Sequence, residues 1–370
     1  MRVLHIFNEL KFSGAEIMYA NAASLFQKKG VEMLVLSTGE QIGDFLPQFE
    51  AENIEVHYRK LSINEANPLR LMSYFQKVYL FVKTNNIEVI HIHRSKHFWF
   101  FSLVGFLSGT RTIRTVHNNF KHRKLTWIKG FLERYTATKF FNVKFQTIGR
   151  SVYENELHYY KNNSYIVNNW YDSTKFYPLL NLEEKFKIRE SLGIAKNQFV
   201  IISSGGCSYV KNHHDIIKAL AIVDKKIDCV YLHLGQGLTE NEEKDLAKQL
   251  GVYGKIKFLG NKQNVRDYLI ASDVYLMPSQ FEGLSIAAIE AMASGLPSVL
   301  YNSPGLRDLI DKDDNGLLIN PDYKELASSL LQLYYEPNMR LEMGNRAEVF
   351  VKNNFSVRKG VDGIMDLYKK

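Results

Sequence analysis

Residues 281–299 read FEGLSIAAIEAMASGLPSV, and they follow the apolar run VYLM at 274–277 and Pro278-Ser279. The segment therefore leaves the end of a strand. A helix is expected to begin near Ser285 and to stop at Gly295, with Pro297 beyond it as a breaker. Its first turn would present backbone N–H groups at Gly283, Leu284 and Ser285 at the positive end of the helix dipole, which suits a diphosphate. Glu282 lies in the loop and Glu290 eight residues further on. Ile286, Ala287, Ala288, Ile289, Ala291, Met292 and Ala293 make the helix small or apolar almost all round. Glu290 is thus expected to be buried, where a carboxylate needs hydrogen-bond donors, and the hydroxyls of a ribose would serve. A purely structural reading stands beside this one: Glu282 caps the helix and Glu290 pairs with a Lys or Arg.

Outward from this segment, strand and helix patterns alternate. Strands are expected at 2–7, 33–37, 88–92, 112–116 and 145–148, with helices at 15–29, 69–85, 97–108 and 126–140. The second half repeats the scheme, with strands at 199–204, 230–234, 256–259, 274–277 and 298–300. Unbroken apolar strands alternating with helices predict parallel, doubly wound α/β sheets. With 370 residues there is enough chain for two such domains. The unperiodic stretch NNWYDSTKFYPLLN at 168–181 is the expected linker. The domains then run 1–172 and 173–354, with residues 355–370 packing back on the first. Ligands of such folds bind outside the carboxyl ends of the strands, so the strand-to-helix loops hold the candidate site.

Composition narrows the function classes. Two cysteines, Cys207 and Cys229, cannot make a disulfide framework and suit a reducing, cytoplasmic compartment. The run Phe98–Leu107 is too short to span a bilayer. Charge is one-sided: residues 1–180 hold 23 Lys/Arg against 14 Asp/Glu, whereas the rest holds 24 against 25. Within 91–150 there are 12 Lys/Arg and one acid, Glu133. A surface of this kind implies an anionic partner, and no recognition motif accompanies it, which argues against nucleic acid. In segment 121–139, Lys121, Arg123, Lys124, Lys129 and Arg134 interleave with Trp127, Phe131 and Tyr135, which recur every four residues. Such a stripe on a helix suits peripheral attachment to an anionic membrane surface, although aromatics at this spacing also face cores.

The segment 281–299, with two Glu separated by seven residues and followed by Ala-Met-Ala-Ser-Gly-Leu-Pro, resembles the signature of the family 4 glycosyltransferases, which are retaining enzymes of the GT-B fold. The resemblance extends over nearly the whole chain and is to members of the bacterial surface-polysaccharide type. It implies two Rossmann-like domains facing a central cleft, a nucleotide-sugar donor in the second domain, and a glycan or lipid-linked acceptor in the first. Glu282 would lie near hydroxyls of the donor sugar, Glu290 on the ribose, and the amides of Gly283, Leu284 and Ser285 on the phosphates. In Ser203-Ser204-Gly205-Gly206-Cys207 followed by Lys211, the lysine falls where the family places one that neutralises the leaving diphosphate. The family's usual Arg, however, aligns with Gly206, and Lys262, Arg266 or an Arg of the first domain are candidates to replace it.

Other landmarks follow in order. Gly235 and Gly237 lie in Leu-Gly-Gln-Gly, Gly260 in Phe-Leu-Gly, and Gly14 in Phe-Ser-Gly-Ala-Glu. His117 matches the histidine that the family directs into the cleft, which makes Glu282, Lys211 and His117 the expected catalytic set. His91 and His93 share one face of a strand, without further Cys or His at zinc-ligand spacing. His213-His214 reads as the start of a helix. Asp311-Lys312-Asp313 spells Asp-x-Asp but lies in a surface loop, so no catalytic metal is expected and the resemblance implies no cofactor. Asn169 matches the family's linker Asn, with Trp170 where a Gly is usual. The implied activity is transfer of a hexose from a sugar nucleotide, UDP-linked, to a hydroxyl. A sugar-nucleotide 2-epimerase of the same fold and a non-catalytic sugar-nucleotide or polyanion binder are the alternatives.

Overall fold

The computed structural model describes residues 1–61, 68–118, 124–311 and 314–370. They form two compact units, one of Met1–Asn169 with Val357–Lys370 and one of Trp170–Ser356.

The first unit holds strands β1 (Arg2–Phe7), β2 (Glu32–Ser37), β3 (Glu55–Tyr58), β4 (Val89–Ile92), β5 (Arg111–Val116), β6 (Lys144–Thr147) and β7 (Tyr165–Ile166). Their order in the sheet is β3-β2-β1-β4-β5-β6-β7, and all described pairs are parallel. The second unit holds β8 (Phe199–Ser204), β9 (Cys229–Leu234), β10 (Ile256–Gly260), β11 (Val274–Met277), β12 (Ser298–Tyr301) and β13 (Leu317–Ile319). Its parallel sheet runs β10-β9-β8-β11-β12-β13.

Every residue of β8 and of β9 is buried, as expected of strands covered by helices on both faces. The chain direction across each sheet reverses once, between β1 and β4 in the first unit and between β8 and β11 in the second. At such a switch point the loops diverge to opposite faces and leave a crevice between them.

Three strands had no counterpart in the sequence reading: β3, β7 and β13. Each lies at a sheet edge and none is fully buried; β3 alternates Glu and His with Val and Tyr, and β7 and β13 are apolar but only two and three residues long. The helix expected at 15–29 is two, Gly14–Asn21 and Ala23–Lys28, divided at Ala22, with buried residues in each. The last helix, Val357–Lys369, returns to the first unit, where Tyr368 is fully buried and hydrogen-bonds His91 at 2.7 Å.

An ion pair ties the entry helix Leu182–Ser191 to the second sheet. Buried Arg189 donates to the carbonyls of Ala271, Lys196 and Gln198 and to the Asp273 carboxylate at 2.7 Å. Lys185 also reaches Asp273 at 2.7 Å, and the Val200 amide donates to it at 2.9 Å. Removing the carboxylate leaves two enclosed cations without an anion. Asp273→Ala is expected to destabilise the second unit by about 3–5 kcal/mol, read as a lower denaturant midpoint. An unchanged midpoint would show that the pair contributes nothing.

Candidate functional site: two loops at the switch point of the second unit

The two strands that meet at the switch point of the second unit are β8 and β11, and the loops leaving them are joined by the Gln280 amide donating to the Val210 carbonyl at 2.8 Å. The first loop supplies Lys211 and the second Glu282, and their side chains form an ion pair at 2.8 Å. Helix Ile286–Ala293 begins where the sequence places it, and its cap is Ser285, whose hydroxyl accepts from the Ala288 amide at 3.3 Å. Glu282 is therefore not the cap. Its carboxylate is held by Lys211, and its own amide donates to Pro304 O at 2.9 Å. Gly283, Leu284 and Ser285 are buried immediately before the helix.

Glu290, half-buried on that helix, has no hydrogen bond or ion pair from its carboxylate to any described residue. Burial pushes its pKa from 4.5 up to about 8, Asp172 adds to the rise, and Lys175 opposes it. The pairing with a Lys or Arg that the structural reading allowed is thus absent among the described residues. The charges of Glu282 and Glu290 both act on the buried Tyr275 hydroxyl, which donates to Ser204 O at 3.4 Å.

Gly205, Gly206, Gly235, Gly237 and Gly260 line the adjoining turns. At Gly235 (φ +142°) a Cβ would lie 1.9 Å from the Gly205 carbonyl oxygen, so the turns after β8 and β9 can approach only because this side chain is absent. Gly206 differs. A Cβ there would meet the Gln236 carbonyl at 3.4 Å, an ordinary contact, so the backbone would accept a side chain where the family has an Arg. Of the proposed replacements, Arg266 is committed elsewhere. It pairs with Glu184 at 2.7 Å, donates to the carbonyls of Tyr177 and Pro178, and stacks 3.7 Å from the Tyr177 ring. Lys262 is exposed after β10. Asp311 is exposed and its amide donates to Asn315, whereas Lys312 and Asp313 lie outside the described residues.

Gly14 and His117 belong to the first unit. Gly14 opens the helix that follows β1, where the Ser13 hydroxyl donates to the buried Glu16 carboxylate. His117 follows β5 and ends a line of imidazoles. His117 Nε2 lies 3.2 Å from His93 Nδ1, and His93 Nε2 lies 3.0 Å from His5 Nδ1. Burial lowers the pKa of His117 to about 3, with the Arg114 charge adding to the fall, and burial lowers His5 to about 3. These rings are neutral at physiological pH. The reading of His91 and His93 as having no third ligand nearby is corrected, since His5 joins them from β1. His213 does open a helix, His213–Val223, as read, but it is not a surface residue there, because it is buried against Cys207, His233 and Glu243. Both clusters join residues distant in the chain. Their one signal in sequence is a polar residue inside an apolar strand run, His5 in VLHIF and His233 in VYLHL.

Helix Lys124–Lys139 carries the aromatic stripe outward and not into a core. Trp127 and Tyr135 are exposed, as are Ile128 and Leu132 beside them, and Phe131 stacks between the two aromatics. Arg134, expected among the surface cations, instead points inward to Glu156 at 2.6 and 2.8 Å, over the Tyr160 ring. Lys129 is exposed, while Lys121, Arg123 and the side chain of Lys124 lie outside the described residues.

The raised pKa of Glu290 has a signed consequence. The folded chain keeps this proton to about pH 8, whereas the unfolded chain loses it near 4.5. Glu290 therefore lowers stability as pH rises through that window. Glu290→Gln is expected to remove that decline, so its denaturant midpoint gains on the wild type more at pH 8 than at pH 5. Parallel midpoints at both pH values would refute the assignment.

Comparison with known proteins bears on the family and the fold. Residues 184–350 match the family described as Glycosyl transferases group 1, and residues 12–144 match Glycosyltransferase Family 4. An uncharacterized glycosyltransferase of Haemophilus influenzae is 30% identical over 49% of this chain and 55% of its own length. The chain spans about half the length of this and another of the curated relatives it matches. A UDP-Gal:alpha-D-GlcNAc-diphosphoundecaprenol alpha-1,3-galactosyltransferase of Escherichia coli is 25% identical over 79% of this chain and 77% of its own. The crystal structure of Anabaena HepE in complex with UDP and glucose covers 100% of this chain and 99% of its own at a TM-score of 0.84 and 18% identity, a likeness of fold. Two parallel-sheet domains of this topology, each half matched by its own part of the family, identify the chain as a member of the family 4 type glycosyltransferases with the GT-B fold.

Proposed function

We propose that the chain transfers a hexose from a UDP-sugar to a hydroxyl of a glycan or lipid-linked acceptor in surface polysaccharide assembly, with retention of anomeric configuration. The observation that carries this is the contact between Lys211 and Glu282 from the two switch-point loops, beside the unpaired carboxylate of Glu290. When a sugar nucleotide enters, Lys211 exchanges Glu282 for the diphosphate, and Glu282 is released to accept from sugar hydroxyls. Glu290 takes the ribose hydroxyls, which supply the donors that it lacks. Gly205, Gly206, Gly235, Gly237, Gly260 and the amides of Gly283, Leu284 and Ser285 form the close-fitting backbone of the donor site. The first domain, with Gly14, takes the acceptor.

His117 acts as a neutral hydrogen-bond donor. An unpaired buried lone pair costs less than an unpaired buried N–H, and the Nε2 of His5 has no partner. The favoured proton order therefore runs from His5 through His93 to the Nε2 of His117, leaving the Nδ1–H of His117 free to donate to the substrate. No carboxylate of the site is assigned as a nucleophile. The bond from the anomeric carbon to the diphosphate breaks as the acceptor oxygen attacks from the same face, and the departing phosphate takes the hydroxyl proton. Lys211 and the loop amides stabilise the charge on the leaving group, so the transfer step needs no divalent cation.

Initial rates with a panel of sugar nucleotides, following nucleoside diphosphate release with and without acceptor, test this reading. Release is expected only with acceptor, unchanged by brief chelation or by added magnesium or manganese. Lys211→Ala is expected to lower kcat by about 10²–10³-fold. Glu290→Gln is expected to raise KM about tenfold and Glu282→Gln to lower kcat about tenfold. Wild-type kinetics in all three would overturn the site. An activity strictly dependent on manganese would overturn the charge assignment.

The exposed stripe Trp127–Tyr135 supports a peripheral position on an anionic membrane surface, where lipid-linked acceptors reside. No described helix is long and apolar enough to cross a membrane. Co-sedimentation with vesicles is expected to require anionic lipid, to weaken at high salt, and to fall in Trp127→Ala/Tyr135→Ala. Binding indifferent to lipid charge and salt would refute it.

A further inference from the structure

We infer that the second unit contains a buried, closed metal site of the class that takes zinc, formed by Cys207, His213, His233 and Glu243. Each residue comes from a different piece of chain. Cys207 lies in the loop after β8, His213 opens helix His213–Val223, His233 lies in β9, and Glu243 lies in helix Glu240–Gln249. One ligand atom from each lies within 4.8 Å of every other, and the residues are 2%, 2%, 0% and 0% exposed. His233 Nε2 is 3.2 Å from His213 Nδ1, 2.9 Å from Glu243 Oε2 and 3.9 Å from Cys207 Sγ, and His213 Nδ1 is 3.4 Å from Glu243 Oε1. A tetrahedral ion with ordinary zinc–ligand bonds separates its ligands by about 3.3–3.8 Å. The four distances lie within about 0.4 Å of that range. Two imidazoles, a thiol and a carboxylate are also a donor set that suits zinc better than magnesium or calcium.

Charge gives a second, independent reason. Glu243 is fully buried, and no described Lys or Arg lies within ion-pair distance of it. A carboxylate enclosed in this way needs a cation. Thr239 donates to Glu243 Oε1 at 2.6 Å, which fixes the carboxylate with Oε1 toward His213 and Oε2 toward His233, as an outer hydrogen bond does for a ligating group. In a purely hydrogen-bonded cluster the Cys207 thiol bonds the Glu243 carboxylate and lies 3.9 Å from His233 Nε2, and no described Lys or Arg compensates the carboxylate. A tetrahedral ion uses all four, although it leaves the Nδ1–H of His233 buried without a partner among the described residues. The trio His5, His91 and His93 offers no such case, because it holds no anion and its rings already bond Tyr368, Thr115 and His117.

With four protein ligands the site has no open position, so its role is structural. Thiolate and carboxylate neutralise a dication, and the thiol proton leaves to solvent on binding. The ion would anchor the loop that carries Lys211 to β9 and to the next helix, four residues from the lysine itself. This inference does not rest on the proposed transfer reaction, and its test does not use activity.

The test is metal content and cobalt spectroscopy on the full chain. The protein as purified is expected to carry one zinc ion per chain by elemental analysis. Cobalt exchanged into it should give the intense visible bands of a tetrahedral ion and a thiolate charge-transfer band in the near ultraviolet. Cys207→Ser is expected to abolish the charge-transfer band and to weaken zinc binding by on the order of a hundredfold, while Cys229→Ser leaves both unchanged. Glu243→Gln, which keeps the hydrogen-bonding shape, should weaken zinc binding at least about tenfold. If Cys207→Ser does not fold, the wild type alone decides, through its stoichiometry and its cobalt spectrum. A folded wild type that holds no metal and gives no cobalt bands would overturn the site, as would a charge-transfer band that survives in folded Cys207→Ser.

Discussion

Two backbones that touch at Gly235 and Gly205 set the terms for the second unit. The carbonyl of Gly205 occupies the space that a Cβ on Gly235 would need, and the amide of Gly205 donates to Leu234 O at 2.9 Å. The turns after β8 and β9 are thereby locked side by side, with the amide of Cys207 donating to Gln236 O at 3.1 Å. Everything beyond depends on that lock: the direction of the loop to Lys211, its meeting with Glu282, and the burial of Cys207 against His233. Strain here would not stay local, because these groups share one short stretch of backbone.

The ion pair between Lys211 and Glu282 also determines how the empty site behaves. Both side chains are mostly withdrawn from solvent, with 22% and 16% exposed. An unpaired lysine in such a place would collect stray phosphate or collapse the loop. Under the proposed reading, an entering anion must displace the carboxylate that is already paired with the lysine. The cost is part of the binding free energy of any ligand that does so.

Much of this was legible in the sequence because parallel strands buried on both faces write themselves as apolar runs. The strands β8, β9, β11 and β12 were found within a residue or two, and so was the helix that begins after Ser285. The edge strands β3, β7 and β13 were not, since β3 alternates polar with apolar residues and β7 and β13 are only two and three residues long. At the site, spacing around 281–299 was enough to single out Glu282 and Glu290 and to leave their partners open. It could not say that Lys211 holds the first or that no described residue pairs with the second, because the first fact depends on residues 71 apart in the chain. The histidine clusters were missed for the same reason. His5, His93 and His117 meet only across three strands, and Cys207 and His213 meet His233 and Glu243 only once two loops close. The outward face of helix Lys124–Lys139 was read as equally compatible with a core, which periodicity alone cannot distinguish.

The path of the chain carries a consequence for synthesis. Residues 170–356 form one uninterrupted unit, whereas the first unit is completed by a helix that starts at Val357. On the ribosome the second unit has all of its parts before the first does, although the first is made earlier. Until that helix arrives, the pocket for Tyr368 stands open over His91, and Lys29 lacks Asp362, its partner at 2.7 Å. The amino-terminal sheet must wait, part-finished and with an apolar groove exposed, while nearly two hundred further residues emerge. It is the stage at which a newly made chain has most need of a chaperone.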